Sequence, residues 1–125
     1  MALPQPNYLE QMNPLLADLA DARESAKRDR FDLPTPKAYE RAVSLLKRIT
    51  ASHCPTECVD TAVGDDGSIE ITAVVNGEYV IVNINPNGSR LGMIVQGTES
   101  RAKLVNSPEA TEEEVIDRLE RATGT

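Results

Sequence analysis

Two strand-like runs joined by Asn76-Gly77 constrain the fold more than any other feature of the chain. The stretch SIEITAVVNGEYVIVNI occupies residues 68–84, and Asn-Gly is the preferred loop of a two-residue β-hairpin. Such a loop fixes the register, with Val75 opposite Glu78. Because side chains alternate along a strand, one face of this hairpin becomes almost wholly apolar. It collects Ile69, Ile71, Ala73, Val75, Val80, Val82 and Ile84.

The hairpin is expected to extend into a larger antiparallel sheet over residues 57–105. The turn NPNG at 85–88 precedes SRLGMIVQG, and a four-residue loop there puts Leu91, Met93 and Val95 on the same apolar face. TECVDTAV before the hairpin and ESRAKLV after it are predicted as further strands. The pattern indicates a meander of four or five strands.

Two amphipathic helices are predicted before the sheet, within residues 8–52. Asn13 and Thr35 suit the N-cap, and each is followed by a proline at the first helical position. Leu9 and Met12 are candidates to extend the first apolar stripe upstream, and residues 1–7 are predicted to form a loose arm. The two stripes are Leu15, Leu16, Leu19, Ala22 and Ala26, and Ala38, Ala42, Leu45, Leu46 and Ile49.

A third helix is predicted over residues 111–122. Thr111 and Glu114 have the spacing of a capping box, and Ala110 can form a hydrophobic staple. The apolar stripe here is Val115, Ile116, Leu119 and Ala122. The chain of 125 residues is thus expected to be a single α+β domain, with the helices on one sheet face and the other face partly open.

The open face of the predicted sheet is the most informative functional feature. It holds Val74, Tyr79, Ile81 and Ile94, interspersed with polar residues such as Glu70. Tyrosine and branched aliphatic residues on an otherwise polar face are typical of a protein interface. Two alternatives stay open: the N-terminal helix or arm packs there as a second core, or two copies form a homodimer through it.

The charge balance bears on the kind of partner. The formal net charge is −7, which disfavours direct binding to nucleic acids and to anionic membranes. An acidic surface instead steers a basic protein. No apolar run reaches the length of about 18 residues that a membrane span needs, and the first residues lack a signal-peptide pattern. A cytoplasmic location without membrane contact is therefore expected.

The sequence HCPTEC holds the only histidine and both cysteines of the chain, His53, Cys54 and Cys58. A structural zinc site needs four ligands, and this cluster supplies three. Pro55 also keeps Cys54 out of helical geometry. The preferred interpretation is a helix that ends at Ser52 or His53, with no metal and no cofactor. A metal- or thiol-dependent module built on the three residues is kept as the alternative function.

Other motifs that carry chemistry are missing. The acidic turn GDDG lacks the spacing of a calcium loop, and a left-handed Gly67 in a solvated turn explains it. The glycines of NPNGSRLG do not form a phosphate-binding loop. No pair of carboxylates lies in a motif that predicts acid–base catalysis. The chain is therefore predicted not to be an enzyme.

Residues 31–96, with FDLPTPKAYERAVSLL followed by DDGSIEITAVVNGEYVIVNINPNG, resemble a family of small uncharacterised bacterial α+β proteins. The shared motifs are a Pro-led amphipathic helix and a DG-x-I hairpin strand. This chain departs in having no tryptophan in the region from Ile71 to Val75. The resemblance implies the fold and, since some members look like half of a two-gene module, a partner. It implies no activity.

Together these features predict a non-enzymatic protein-interaction module. It would act like an antitoxin, an immunity protein or an inhibitor, through the open face. The alternative built on His53, Cys54 and Cys58 stays open, as does a ligand-binding pocket between helices and sheet.

Overall fold

The computed structural model describes residues 13–124, which form three α-helices and a five-stranded antiparallel sheet. The helices are α1 (Pro14–Arg28), α2 (Pro36–Ala51) and α3 (Glu112–Ala122), with a 3-10 turn at Thr56–Cys58. The strands are β1 (Val59–Val63), β2 (Ile69–Val75), β3 (Glu78–Ile84), β4 (Leu91–Gly97) and β5 (Lys103–Ser107), adjacent in chain order. The predicted α+β fold with its meander is confirmed. The predictions for residues 1–7, Leu9 and Met12 lie outside the described residues.

The central hairpin has the predicted register. Val75 pairs with Glu78 at the turn, and the pairing continues without a shift to the other end of the two strands. Asn76 and Gly77 have φ angles of 47° and 80°, the positive values that a type I′ turn requires. The seven predicted inward residues of this hairpin are all buried.

The connection between β3 and β4 is longer than the four-residue loop considered from the sequence. Ile84 pairs with Leu91, so residues 85–90 form the loop. The side chain of Asn85 accepts a hydrogen bond from the Arg90 amide at 2.9 Å, which closes the loop locally. Because the difference is two residues, the alternation is preserved, and Leu91, Met93 and Val95 are buried as predicted.

The helices begin at the predicted caps. The side chains of Asn13, Thr35 and Thr111 accept hydrogen bonds from backbone amides of the first turns of α1, α2 and α3. The predicted stripe of α2 is completely buried, and those of α1 and α3 are buried apart from Ala22 and Ile116. The helix α2 ends at Ala51 with Ser52 as its C-cap, so the predicted end is confirmed.

One hydrophobic cluster joins the three helices to the inner face of the sheet. Helix α1 packs mainly on β1, while α2 and α3 pack on β2 and β3. Two polar contacts fasten α3 to the hairpin: Arg118 bonds to Glu78, and the Asn76 side chain donates to the Ala122 carbonyl at 2.6 Å. None of the helices within residues 13–124 combines the length and apolar character needed to cross a bilayer.

The last strand begins four residues later than the sequence pattern indicates. Residues after Gly97 first make a tight turn, in which the Gly97 amide donates to the Ala102 carbonyl and Arg101 has a φ of 56°. Strand β5 also contains a bulge, because Val95 pairs with Val105 while Gln96 pairs with Lys103. Leu104 is the extra residue. A turn with a non-glycine residue at positive φ leaves no clear signal in the sequence.

Candidate partner-binding face

One face of the sheet is covered by none of the helices of residues 13–124, and the positions that alternate with the buried residues of each strand point to it. The apolar side chains of the inner positions all belong to the cluster shared with the helices. The outer positions are half-buried or exposed, and together they are called the open face below. Its members are Asp60, Ala62, Glu70, Thr72, Val74, Tyr79, Ile81, Asn83, Gly92, Ile94, Gln96, Lys103 and Asn106.

The structure brings all four predicted interface residues together on β2, β3 and β4, from the turn of the first hairpin to the middle of the open face. Val74 pairs with Tyr79 across the first hairpin, and Ile81 pairs with Ile94 across the second. Tyr79 and Ile81 are two positions apart on β3, so the two pairs are neighbours on the same face. The four side chains are called the apolar ladder here. Val74 is 42% exposed, and the other three are half-buried.

The described residues do not use the apolar ladder for internal packing by a helix. Leu15, Leu16 and Leu19 of α1 belong to the cluster on the inner face of the sheet. The alternative in which the N-terminal helix covers the open face is therefore wrong for Pro14–Arg28.

Sequence reasoning missed a cleft beside the apolar ladder. Gly92 lies between Asn83 on β3 and the end of β5, and its missing side chain opens a cleft of about 280 Å³. Ile81 and Ile94 form an apolar wall, while Asn106 and Arg90 contribute polar groups to the rim. A glycine inside a strand often marks close approach by a ligand or by another backbone, so Gly92 was the available signal. Here the carbonyl oxygens of Pro108 and Ser107 lie 3.4 and 3.5 Å from the position of a Cβ.

A second apolar residue that the sequence did not single out lies near the same edge. Leu104 is 54% exposed, the largest exposure among the large hydrophobic side chains of the described residues. It owes this position to the bulge in β5, which inserts it into the strand without a partner on β4. The bulge could not be inferred from local pattern, so neither could the exposure.

The open face carries charges of opposite sign at its two sides. Asp60 and Glu70 are exposed on β1 and β2, and Lys103 is exposed on β5. Arg90, which precedes β4, lies at the same side as Lys103 and makes an exposed ion pair with Glu109 at 3.8 Å. The face is therefore not uniformly acidic, although the whole chain is.

A second group of carboxylates lies at the start of α3, away from the open face. Glu112 and Glu113 at the start of α3 both contact Arg48 of α2 at 3.1 Å. The pKa of Glu113 is lowered, first by its hydrogen bond with a backbone amide at the helix start and then by Arg48. The hydrogen bonds of the Arg48 guanidinium with Glu112 and then with Glu113 raise the pKa of Arg48. These charges join α2 to α3 and do not border the apolar ladder.

Of the three residues of the thiol cluster, His53 and Cys58 line one shallow cleft, and Cys54 does not. His53 is exposed and lies 3.8 Å from Glu120, whereas Cys54 is only 3% exposed and belongs to the core cluster. Burial raises the pKa of the Cys54 thiol, which disfavours the reactive thiolate. Cys58 is half-buried in the 3-10 turn. Across residues 13–124, no three histidine, cysteine or carboxylate side chains are grouped to hold a metal ion.

The acidic turn at residues 64–67 has a structural role. The Asp66 carboxylate accepts a hydrogen bond from the Ser68 amide at 2.9 Å. Its pKa is lowered, first by a hydrogen bond with the Ser68 side chain and then by this amide. Gly67 has a φ of 88°, as predicted, and a Cβ at this position would approach the Leu33 carbonyl oxygen to 2.9 Å. The turn thus supports the segment between α1 and α2.

No protein-family model, curated protein or solved structure matches this chain. The geometry of the described residues is therefore the basis on which a function is argued.

Proposed function

We propose that this protein is a non-enzymatic, cytoplasmic interaction module that binds another protein through the open face. The observation that carries the proposal is the apolar ladder, in which Val74, Tyr79, Ile81 and Ile94 adjoin one another on a sheet face that no described helix covers. Water contact with such a patch is unfavourable by about 25 cal/mol per Å² of apolar surface, and a partner removes that cost.

The composition of the open face supports a protein as the partner. Tyr79 offers a rigid, half-buried ring with a polar hydroxyl on the central strand, and tyrosine is enriched among energetic hot spots. Thr72 and Gln96 flank the ladder and supply polar groups for a rim. The exposed Asp60 and Glu70 favour a partner whose contacting surface is basic on that side.

This chemistry supports a role like that of an antitoxin, an immunity protein or an inhibitor. The chain is small, its net charge is −7, and the apolar ladder lies on a five-stranded sheet. A module of this kind acts by occupying a surface of its target and does not need a reactive group. The alternative module built on the thiol cluster has less support, because burial of Cys54 separates it from the exposed His53.

The experiment compares binding by the wild type, Tyr79→Glu and Ile94→Glu with binding by the control Phe31→Glu. Phe31 is an exposed aromatic residue of the segment between α1 and α2, so the control makes the same chemical change away from the open face. Proteins captured from the host are identified, purified and titrated against each variant. The Kd should rise at least tenfold for the two open-face variants, as about 1.4 kcal/mol or more per hot-spot residue implies.

The proposal fails if the purified partner binds Tyr79→Glu and Ile94→Glu as tightly as it binds the wild type. A loss of binding by Phe31→Glu alone would place the interface on the helical side. Circular dichroism and urea unfolding of every variant show that the comparison is made between folded proteins.

A further inference from the structure

The open face is electrostatically complementary to itself. One side carries the carboxylates Asp60 and Glu70, and the other carries the cations Arg90 and Lys103, of which Arg90 also pairs with Glu109 at 3.8 Å and would exchange that exposed partner on association. All four side chains are exposed. A surface with opposite charges at its two sides fits a second copy of the same surface if a rotation brings one side over the other.

From this arrangement we infer that a second copy of the chain covers the open face, through a twofold axis that runs parallel to β3. Rotation about this axis places β1 and β2 of one copy over β5 and β4 of the other. Carboxylates then face cations on both sides of the interface. The other face-to-face twofold axis, perpendicular to the strands, places β1 on β1 and β5 on β5, where like charges repel.

The register of the sheet specifies the contacts. Glu70 on β2 pairs with Asn83 on β3, which pairs with Gly92 on β4, so the three residues lie side by side across the sheet. Because β2 and β4 are equally distant from β3, rotation about β3 brings Glu70 over Gly92 of the second copy. The carboxylate lies at the rim of the cleft of about 280 Å³, because the interior is lined mainly by apolar side chains such as Ile94. Arg90 on the cleft rim is the cation that Glu70 meets.

A second pair of charges follows from the same rotation. Asp60 on β1 and Asn106 on β5 are the two ends of one row of paired residues, which also contains Thr72, Ile81 and Ile94. Because the rotation places β1 over β5, Asp60 of one copy lies over Asn106 of the other. Lys103, one outward position along β5, is the nearest cation there. Each ion pair occurs twice because of the symmetry.

The centre of the interface is apolar. Tyr79 and Ile81 lie on β3, so each meets its counterpart near the axis, and Ile94 lies over Thr72. The five strands present 13 outward positions, two on each of β1 and β5 and three on each of the others. With strands about 4.8 Å apart and outward positions about 6.8 Å apart, they give a contact of about 420 Å² per copy. The total of about 850 Å² is in the range of weak, transient interfaces. The dimer is therefore reversible and concentration-dependent.

The inference stands apart from the proposed partner. It concerns purified protein alone, and the two modes of binding exclude each other because both use the apolar ladder. A partner that binds with a lower Kd would displace the second copy, whereas the dimer would form when the partner is absent.

Sedimentation velocity of the purified full chain tests the inference over a range of about 1 to 500 µM, where an interface of this size dissociates. The variants are Glu70→Arg, Arg90→Glu and their combination, with Glu40→Arg on the exposed surface of α2 as the control. Each single open-face variant should raise the dimer Kd at least tenfold, because like charges then meet. The double variant should restore the Kd to within about threefold of the wild type.

A wild-type chain that stays monomeric at every concentration overturns the inference. So do single variants that dimerise like the wild type, and a double variant that dimerises no better than the single ones. If one of these variants does not fold, the same test is made with Asp60→Lys, Lys103→Asp and their combination. None of these results depends on whether a partner protein binds, so the two proposals succeed or fail separately.

Discussion

Asn76 connects the hairpin turn to the end of α3. Its backbone adopts a φ of 47°, and its side chain donates to the Ala122 carbonyl at 2.6 Å. Asparagine tolerates the left-handed conformation better than most residues, and the carbonyl is one of those left unpaired at a helix end. One residue thus fixes both the strand register and the position of a helix against the sheet.

Replacement of Asn76 should separate these two contributions. Asn76→Gly keeps the left-handed backbone and loses the hydrogen bond, so it should lower the free energy of unfolding by about 1 kcal/mol. Asn76→Ala also adds the left-handed strain and should lower it by about 2 kcal/mol. Urea unfolding measures both. Equal losses in the two variants would contradict the assignment of a separate backbone role.

Gly88 is required by a close approach as well as by its backbone angle. It has a φ of 73°, and a Cβ at this position would lie 2.6 Å from the Ala38 amide nitrogen at the start of α2. The Arg41 side chain also donates to the Gly88 carbonyl at 2.9 Å. The loop between β3 and β4 is therefore held against the first turn of α2.

Gly88→Ala should destabilise the protein far more than Gly77→Ala. Gly77 has a similar φ of 80°, but the nearest atom to its Cβ position is 4.0 Å away, so only the backbone strain applies. That strain is about 1–2 kcal/mol, whereas the clash at Gly88 involves backbone atoms and should bring the loss above about 3 kcal/mol. Comparable unfolding midpoints for the two variants would show that the loop does not rest on α2.

At the scale of elements, α3 depends on charges at its start. The pKa of Glu113 is lowered mainly by a backbone amide of the first turn, and secondarily by Arg48. A depressed pKa in the folded state means that the carboxylate stabilises the fold at neutral pH. That contribution is lost as the pH falls through the depressed pKa.

An NMR titration of the side-chain carboxyl carbons measures this directly. The midpoint of Glu113 should lie below the ordinary glutamate value of about 4.3. In Arg48→Met it should rise only part of the way, because the amide of the first turn remains. A full return to the ordinary value would make Arg48 the main cause, and an unshifted wild-type midpoint would contradict the helix-start contact.

The predictable elements are those with strong local signals. Asn76-Gly77 with alternating residues predicted the hairpin, and Thr35-Pro36 before an apolar stripe predicted α2. The start of β5 and its bulge were not predictable, because they depend on a turn containing Arg101 at positive φ. The face of the sheet on which α1 packs was likewise not predictable. An apolar stripe indicates that one side of a helix is buried, but it does not indicate which surface covers that side.

At the scale of the whole molecule, three described helices cover one sheet face and leave the apolar ladder on the other. Residues of the ladder were predictable because the hairpin register fixes the direction of each side chain. The Gly92 cleft was not, because it requires the end of β5 to lie beside β4. The cleft was therefore missed because it depends on a contact between distant parts of the chain, which no local sequence pattern encodes.

The central claim is that neighbouring residues of β3 point to opposite environments, Ile81 to the open face and Val82 to the core. The most direct measurement is the free energy of unfolding of Ile81→Asp and Val82→Asp in urea, at low micromolar concentration. Ile81→Asp should cost about 1 kcal/mol, whereas Val82→Asp buries a carboxylate and should cost more than about 4 kcal/mol or prevent folding. Equal losses, or a greater loss for Ile81→Asp, would contradict the account.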